Sequence, residues 1–374
     1  MLKMIFGVLV VITVFLAGSG GMSILKTGGW NKYKYDKNPV TPDNHTWGCV
    51  IKEGNNWAMY YSVAGNLTYI GRKISMDGKN WTDQGAVLER TPGAWDNEIW
   101  CPSVIKIGNE YKMLYTGRNN GVTQVGLATS ADGVNWTKYE GNPVFNCPDE
   151  WAHNDTEGFG IIYIKEEKKI LLFYNTLSHS VREIGIAESE DFVNWTPHQS
   201  TPVFSTSIFS RLKKKLHNLL GIQYPLFLPT IDDYRYHQFC ACQFRYGNKY
   251  YALVPSQSWV RDYAKIALYE CDNPYFSEKD RIFRGFFVSG SEEDFDFHDI
   301  DTPCPVIFDN KMYLYYSGEH EGIWHMGLIE ISNLSSALKE SPVSITPARP
   351  APAFEAVFAI IGLLAYIIRR NRQK

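Results

Sequence analysis

The sequence predicts an all-β fold, a five-bladed β-propeller, with an N-terminal signal segment before it and a C-terminal hydrophobic helix after it. Three observations carry this. A block of about fifty residues recurs five times, and short strands with aromatic punctuation at such a period mark a propeller. Within each block, apolar residues alternate or cluster over short spans bounded by Gly, Asn, Asp and Pro, and no long helical periodicity competes. A segment ahead of the first block copies the motif that ends later blocks, as closure of a ring requires.

In chain order, Lys3 and the apolar run from Met4 to Leu16, followed by Ala17-Gly18-Ser19-Gly20-Gly21, have the charge, length and small-residue exit of a secretory signal peptide over residues 1–21. The propeller is expected over residues 30–340, with blades at about 43–90, 96–145, 153–204, 237–288 and 299–335. Gly54-Asn55, Gly108-Asn109, Gly247-Asn248 and Asp309-Asn310 are turns leading into aromatic second strands, and Glu166-Glu167-Lys168-Lys169 replaces that turn in blade three. A Ser-x-Asp turn ending in Trp closes the unit as Ser75 to Trp81, Ser130 to Trp136 and Ser189 to Trp195, its Trp expected between neighbouring blades.

An open fifth blade would leave a row of unpaired backbone groups. Tyr35-Asp36-Lys37-Asn38-Pro39-Val40 reads like Tyr139-Glu140-Gly141-Asn142-Pro143-Val144, so residues 33–40 are expected to supply the strand that blade five lacks. The insertion at 205–235 breaks the repeat, and its stretch from Arg211 to Leu220 can form a short basic amphipathic helix, a surface helix or a lid. A Pro-rich spacer at 341–352 precedes the apolar run from Ala353 to Ile368 and the basic end Arg369 to Lys374, which places the propeller outside the cell with the tail inside.

The net charge of −3 excludes an electrostatic partnership with nucleic acid. The odd count of seven cysteines, with Cys101, Cys240 and Cys304 at the starts of inner strands, reads as small buried residues and offers no metal-ligand spacing. No cofactor is implied, and an axial calcium ion has no ligand motif behind it. Seven Asn-x-Ser/Thr sites, at Asn44, Asn66, Asn80, Asn135, Asn154, Asn194 and Asn333, suit an exported chain, although three belong to the repeated Asn-Trp-Thr turn.

Propellers bind ligands at the axial mouth where the first strands begin. Alignment of the repeats puts Asn44, Glu98, His237 and Asp301 at one register there, with Asp155 and Glu157 as the counterpart in blade three. Asp43, His45, Asp96, His153, His298 and Asp299 stand nearby, and Arg118, His179, Trp259, Arg261, Glu319 and His320 come from a second ring of loops. Trp47, Trp95, Trp100 and Trp151 are aromatic surfaces on which a sugar ring can stack. Carboxylates facing one another across an axis suit glycosidic bond cleavage, with Glu157, Glu98, Asp301 and Asp155 as candidate catalytic acids. Acids at strand starts are also ordinary turn formers, so a non-catalytic carbohydrate-binding or structural surface propeller stays open.

Through Pro102-Ser103-Val104-Ile105, Tyr111-Lys112-Met113-Leu114-Tyr115-Thr116-Gly117 and Ala128 to Trp136, the chain resembles the five-bladed arabinanase, levansucrase and invertase superfamily, which includes glycoside hydrolase families 43, 32 and 130. The resemblance covers about residues 33 to 335 and implies a carbohydrate substrate, with hydrolysis or phosphorolysis as the reaction. Glu157-Gly158 matches the pattern of the family's general acid. Where the family carries Asp-Pro, this chain has Trp47-Gly48 and Cys101-Pro102, and Glu98 and Asp301 are read as lying three residues upstream of that position. The tail resembles archaeal Pro-Gly-Phe sorting signals, with Pro352-Ala353-Phe354 at the motif, and implies membrane attachment and processing by an archaeosortase; an uncleaved anchor is the alternative.

Overall fold

The computed structural model describes residues 29–42, 44–152, 155–178, 181–205, 237–238, 240–257, 264–289 and 294–340. The signal segment, the insertion and the C-terminal tail lie outside these residues. No helix among the described residues is long and apolar enough to cross a membrane.

Five antiparallel sheets follow one another along the chain. Blade one comprises β1 (His45–Glu53), β2 (Asn56–Val63), β3 (Asn66–Ser75) and β4 (Thr82–Glu89). Blade two comprises β5 (Glu98–Ile107), β6 (Glu110–Asn119), β7 (Val122–Ser130) and β8 (Thr137–Lys138). Blade three comprises β9 (Glu157–Ile164), β10 (Lys169–Ser178), β11 (Val181–Ser189) and β12 (Thr196–Pro197). In blade four, β13 (His237–Gln238) and β14 (Cys242–Tyr246) both pair with β15 (Lys249–Gln257), followed by β16 (Ala264–Cys271) and β17 (Ile282–Ser289). Blade five holds β18 (Asp299–Phe308), β19 (Lys311–His320) and β20 (Ile323–Ile331). The inner strands touch in a closed ring, β1 to β5 to β9 to β14 to β18 and back to β1.

The missing outer strand of blade five comes from the N-terminal segment. Lys34 bridges Ile329 of β20, and the Tyr35 and Val40 amides donate to the Leu328 and Met326 carbonyls at 2.9 Å each. The Asn38 side chain acts as an extra peptide group, donating to the Leu328 carbonyl at 2.9 Å and accepting from the Leu328 amide at 2.8 Å. Asn142 makes the same pair with Leu127 in blade two, both at 2.8 Å. Lys34 also pairs with buried Asp296 at 2.6 Å, as Lys138 does with buried Asp96. The clasp thus reproduces the chemistry of an outer strand, not its sequence alone.

Each closing turn packs on the second strand of the preceding blade, and the two positions are matched in size. Tyr60 donates to the Gly133 carbonyl at 2.7 Å and Tyr315 to the Gly78 carbonyl at 2.6 Å. A Cβ at either glycine would stand 2.7 Å from that hydroxyl, and both have positive φ, so the tyrosine requires the glycine. Where the second strand carries Leu114 the turn carries Phe192, and Phe173 meets Phe276 at 5.9 Å. Trp136 stands edge-on to Tyr60 at 5.6 Å and Trp81 to Tyr315 at 5.9 Å, so these tryptophans join blades.

Replacing Asn38 by Ala removes both bonds to Leu328 and leaves a backbone donor and acceptor without partners. It should lower stability by about 1–3 kcal/mol in urea titrations, and Asn142→Ala should cost a similar amount. A midpoint unchanged by Asn38→Ala would show that the clasp does not hold the fifth blade.

Candidate active site

The first strands reach the axis through a bulge. Trp47, Cys101, Cys240 and Thr302 have positive φ, and the β1–β2, β5–β6 and β18–β19 ladders skip there. The bulge turns an amide out of its own ladder, and the preceding blade accepts it. Trp47 donates to Ser317 Oγ at 2.9 Å, Cys101 to Ser62 Oγ at 3.0 Å, Gly158 to Thr116 Oγ1 at 3.3 Å, and Cys240 to Asn175 Oδ1 at 3.1 Å.

This geometry corrects the register read from the sequence. Thr46, Trp100, Glu157 and Asp301 pair with Ser62, Thr116, Asn175 and Ser317 in turn, so they form one row at the axis. Glu98 belongs one row further out, where it faces Arg118; the counterpart of Glu98 in blade five is Asp299, which faces Glu319. Asp301 therefore shares its level with Glu157, not Glu98. It directly precedes Thr302-Pro303, the fifth-blade equivalent of Cys101-Pro102, and so stands one residue from that position, not three.

Glu157 is buried, takes a 2.7 Å hydrogen bond from Asn175 Nδ2 and forms an ion pair with Arg182. Asp301 is buried and accepts from Thr302 Oγ1 at 2.9 Å. Burial lifts the Asp301 carboxyl from 3.8 to about 7, against the opposing pull of Thr302, Arg182, Ser317 and Trp47. Burial and the Asp301 charge push Asp299 well above the usual carboxylate range, and Glu319 adds to this from the facing strand. Burial raises the Cys101 and Cys240 thiols, and both Glu157 and Asp301 add to the rise, so the two carboxylates act on the same small volume. Glu157, with a contribution from Asp155, holds the Arg182 guanidinium charged, and Arg182 in turn opposes the rise of Asp299 and Asp301.

Below this row, a cavity of about 130 Å³ runs along the axis between all five inner strands. Cys49, Cys101, Cys240, Cys242 and Cys304 line it as free thiols. Cys304 Sγ accepts from the Val50 amide at 3.2 Å and Cys49 Sγ from the Val104 amide at 3.3 Å, so these thiols bind neighbouring blades. Among the described residues no group of three or more His, Cys, Asp or Glu is arranged to hold a metal ion.

Several expected mouth residues have other work. Asp96 is buried against Lys138 and Tyr115, and Trp95 and Trp151 pack on Tyr115 and Tyr174 at 5.8 and 5.9 Å, which removes both rings as sugar platforms. His45 stacks on Tyr61 beside Asp83, off the axis. Asn44 is bound by backbone and side chain to Trp324 of blade five. Glu98 forms a half-exposed pair with Arg118 at 2.6 Å, and that guanidinium lies over Trp100, which is itself buried. Trp47 packs on Trp324, and His320 packs on His298 at the blade-five rim. His237 pairs in the outer row with Gln257. Asp43, His153, His179, Trp259 and Arg261 lie outside the described residues. Sequence reasoning missed Asn175 and Arg182. The signal for Asn175 was an amide at the place where other second strands carry Ser62, Thr116 and Ser317; Arg182 had none within the repeat.

Residues 48–208 match the family profile described as Glycosyl hydrolases family 32 N-terminal domain, and residues 354–371 match the PGF-CTERM motif, the mark of a secreted, surface-anchored chain. Among solved structures, a thermostable family-43 glycoside hydrolase is 14% identical with a TM-score of 0.57, covering 80% of this chain and 92% of that one. A structure titled for the GH130 family of mannoside phosphorylases and its hydrolases of β-1,2 mannosidic linkages in Candida mannan is 16% identical with a TM-score of 0.55, covering 83% and 96%. The Bombyx mori GH32 β-fructofuranosidase is 18% identical with a TM-score of 0.53, covering 80% and 64%. The chain is a five-bladed propeller of the kind found in glycoside hydrolase families 43, 32 and 130.

The elevated Asp301 makes stability depend on pH. The folded protein keeps a proton there that the unfolded chain releases near its ordinary value of 3.8, so stability should fall as pH rises from about 4 to about 7 and then level off. Asp299 adds a slope of the same sign. Urea midpoints at about pH 5 and pH 8 should differ less in Asp301→Asn than in the parent; an equal difference in both would place the effect elsewhere.

Proposed function

We propose that this protein is an exported, membrane-attached glycosidase that cleaves a cell-surface or extracellular glycan at the axial mouth. One observation carries the reading: Glu157 and Asp301 occupy the same row of the axis in environments that pull their roles apart. Glu157 faces the Arg182 guanidinium and accepts from Asn175 Nδ2. Asp301 holds its proton to about pH 7. Asp301 is therefore assigned as the acid that protonates the leaving oxygen, and Glu157 as the carboxylate that meets the developing positive charge and directs the incoming nucleophile. This reverses the role that the family resemblance implies for Glu157.

Asn175 and Arg182 position Glu157, Trp47 adjoins Asp301, and Trp100, under the Arg118 guanidinium, stands in the same row. His320 and Asp299 border the mouth from blade five. The C-terminal motif supports attachment at the outer face and processing by an archaeosortase. A second reading, a non-catalytic carbohydrate-binding propeller, is favoured by Thr46 and Trp100, which leave blades one and two without an acid in the axial row.

Asp301→Asn should lower turnover about a hundredfold to ten-thousandfold and abolish a fall in kcat centred near pH 7, and glycosides with activated leaving groups should recover much of the rate. Glu157→Gln should lose a similar factor but regain little with those substrates and respond to added azide. The opposite pattern of rescue would return the acid role to Glu157. Binding without turnover by the parent across a broad glycan panel would establish the binding reading.

A further inference from the structure

On the face opposite the mouth, the groove between blades one and two holds a cavity of about 610 Å³, within the roughly 300–1,000 Å³ range of small-molecule sites. The repeat explains why it is open. In the matching groove between blades five and one, Phe308 and Tyr313 close on Trp57 at 5.6 and 4.9 Å. Between blades one and two the equivalents of Phe308 and Tyr313 are Glu53 and Ala58, and two rings give way to a carboxylate and a methyl group.

A second departure sits in the same cavity. Arg72 pairs with Tyr60 at the position where Leu127 and Leu328 pair with Leu114 and Tyr315, and both of those leucines are buried. The Arg72 guanidinium lies over the Tyr60 ring near its hydroxyl, and Nε is buried without a hydrogen-bond partner. It makes no ion pair among the described residues. The acids around the cavity are engaged otherwise. Glu53 binds Lys106 at 2.7 Å and also Tyr111, while Asp77 and Asp132 accept 2.8 Å bonds from the amides of their own turns and 2.7 Å bonds from Asn80 and Asn135. Arg72 is left as the uncompensated charge beside an apolar wall of Ile74 and Met76, which are 37% and 72% exposed.

We propose that this cavity is an accessory carbohydrate site for an acidic sugar residue, with its carboxylate on Arg72 and its ring against Ile74 and Met76. A guanidinium offers the paired donors that a carboxylate accepts. A mixed wall with one charged anchor suits a pyranose ring better than a peptide or a lipid chain, which would need a longer apolar track. The site is separate from the axial carboxylates, so it does not depend on which of them is the acid.

The test is titration of the full chain with D-glucuronate and D-glucose by calorimetry or NMR, at low and high salt. Glucuronate should bind at least about tenfold more tightly than glucose and weaken as salt rises. Arg72→Leu installs the residue of blades two and five, and Ala58→Tyr fills the cavity as blade five does. Each should reduce glucuronate affinity by about tenfold or more, with thermal melting and axial turnover unchanged. Failure of glucuronate to bind, or equal binding by the parent and both variants, overturns the proposal. If one variant melts early, the other decides.

Discussion

The amide that each inner-strand bulge turns toward its neighbour is the constraint on which the centre of this protein depends. A buried N–H without a partner costs about as much as a lost hydrogen bond, so a blade that presents an acceptor to the next one secures the junction. Ser62, Thr116, Asn175 and Ser317 do this at four junctions. The same bulge fixes which residue precedes it at the axis, and so decides that Thr46, Trp100, Glu157 and Asp301 form one row. Ring closure and site geometry are thus set by a single recurring contact.

The two places where that contact departs from its pattern are the two places where the carboxylates sit. In blade three the acceptor is Asn175, whose amide accepts from Cys240 with Oδ1 and donates to Glu157 with Nδ2, so one side chain joins the blades and holds the acid through two separate atoms. Between blades four and five the equivalent residue is Pro255, which has no polar side chain to offer. Thr302, the bulge residue facing that gap, turns its hydroxyl onto Asp301 instead.

The repeat made most of the fold legible, because each copy carries its own turn and strand chemistry. The clasp was readable for the same reason: Asn38 and Asn142 sit in matching motifs and make matching bonds. Asp301 was placed two residues off its register: measured from the Gly108-Asn109 and Asp309-Asn310 turns, the counterpart of Glu98 is Asp299, since the interval from Glu98 to Asn109 equals that from Asp299 to Asn310. Trp95 and Trp151 misled because a tryptophan at a rim suits a sugar and a packed blade equally. Gly117 and Gly126 held the missing clue, since a Cβ at either would stand 2.4 or 2.6 Å from the Trp95 ring. The pairing of Arg182 with Glu157 stayed hidden because it depends on where β11 begins, which the repeat does not fix.

A molecule assembled from copies of one unit keeps its stability in what the copies share and its chemistry in what they do not. Gly78 and Gly133 receive a tyrosine hydroxyl because the unit demands it, and their equivalents change only together with the residue they face, as Leu114 does with Phe192. Such coupled changes preserve packing. Asn175 departs together with the Glu157 that it faces and binds, whereas Asp301 faces Ser317, a residue of the usual kind, and Ala58 and Arg72 leave a volume and a charge that the fold does not use. Asn175 and Asp301 lie at the axial row and Ala58 and Arg72 at the outer cavity, so departures from the repeat are what single out both the proposed catalytic pair and the proposed second site.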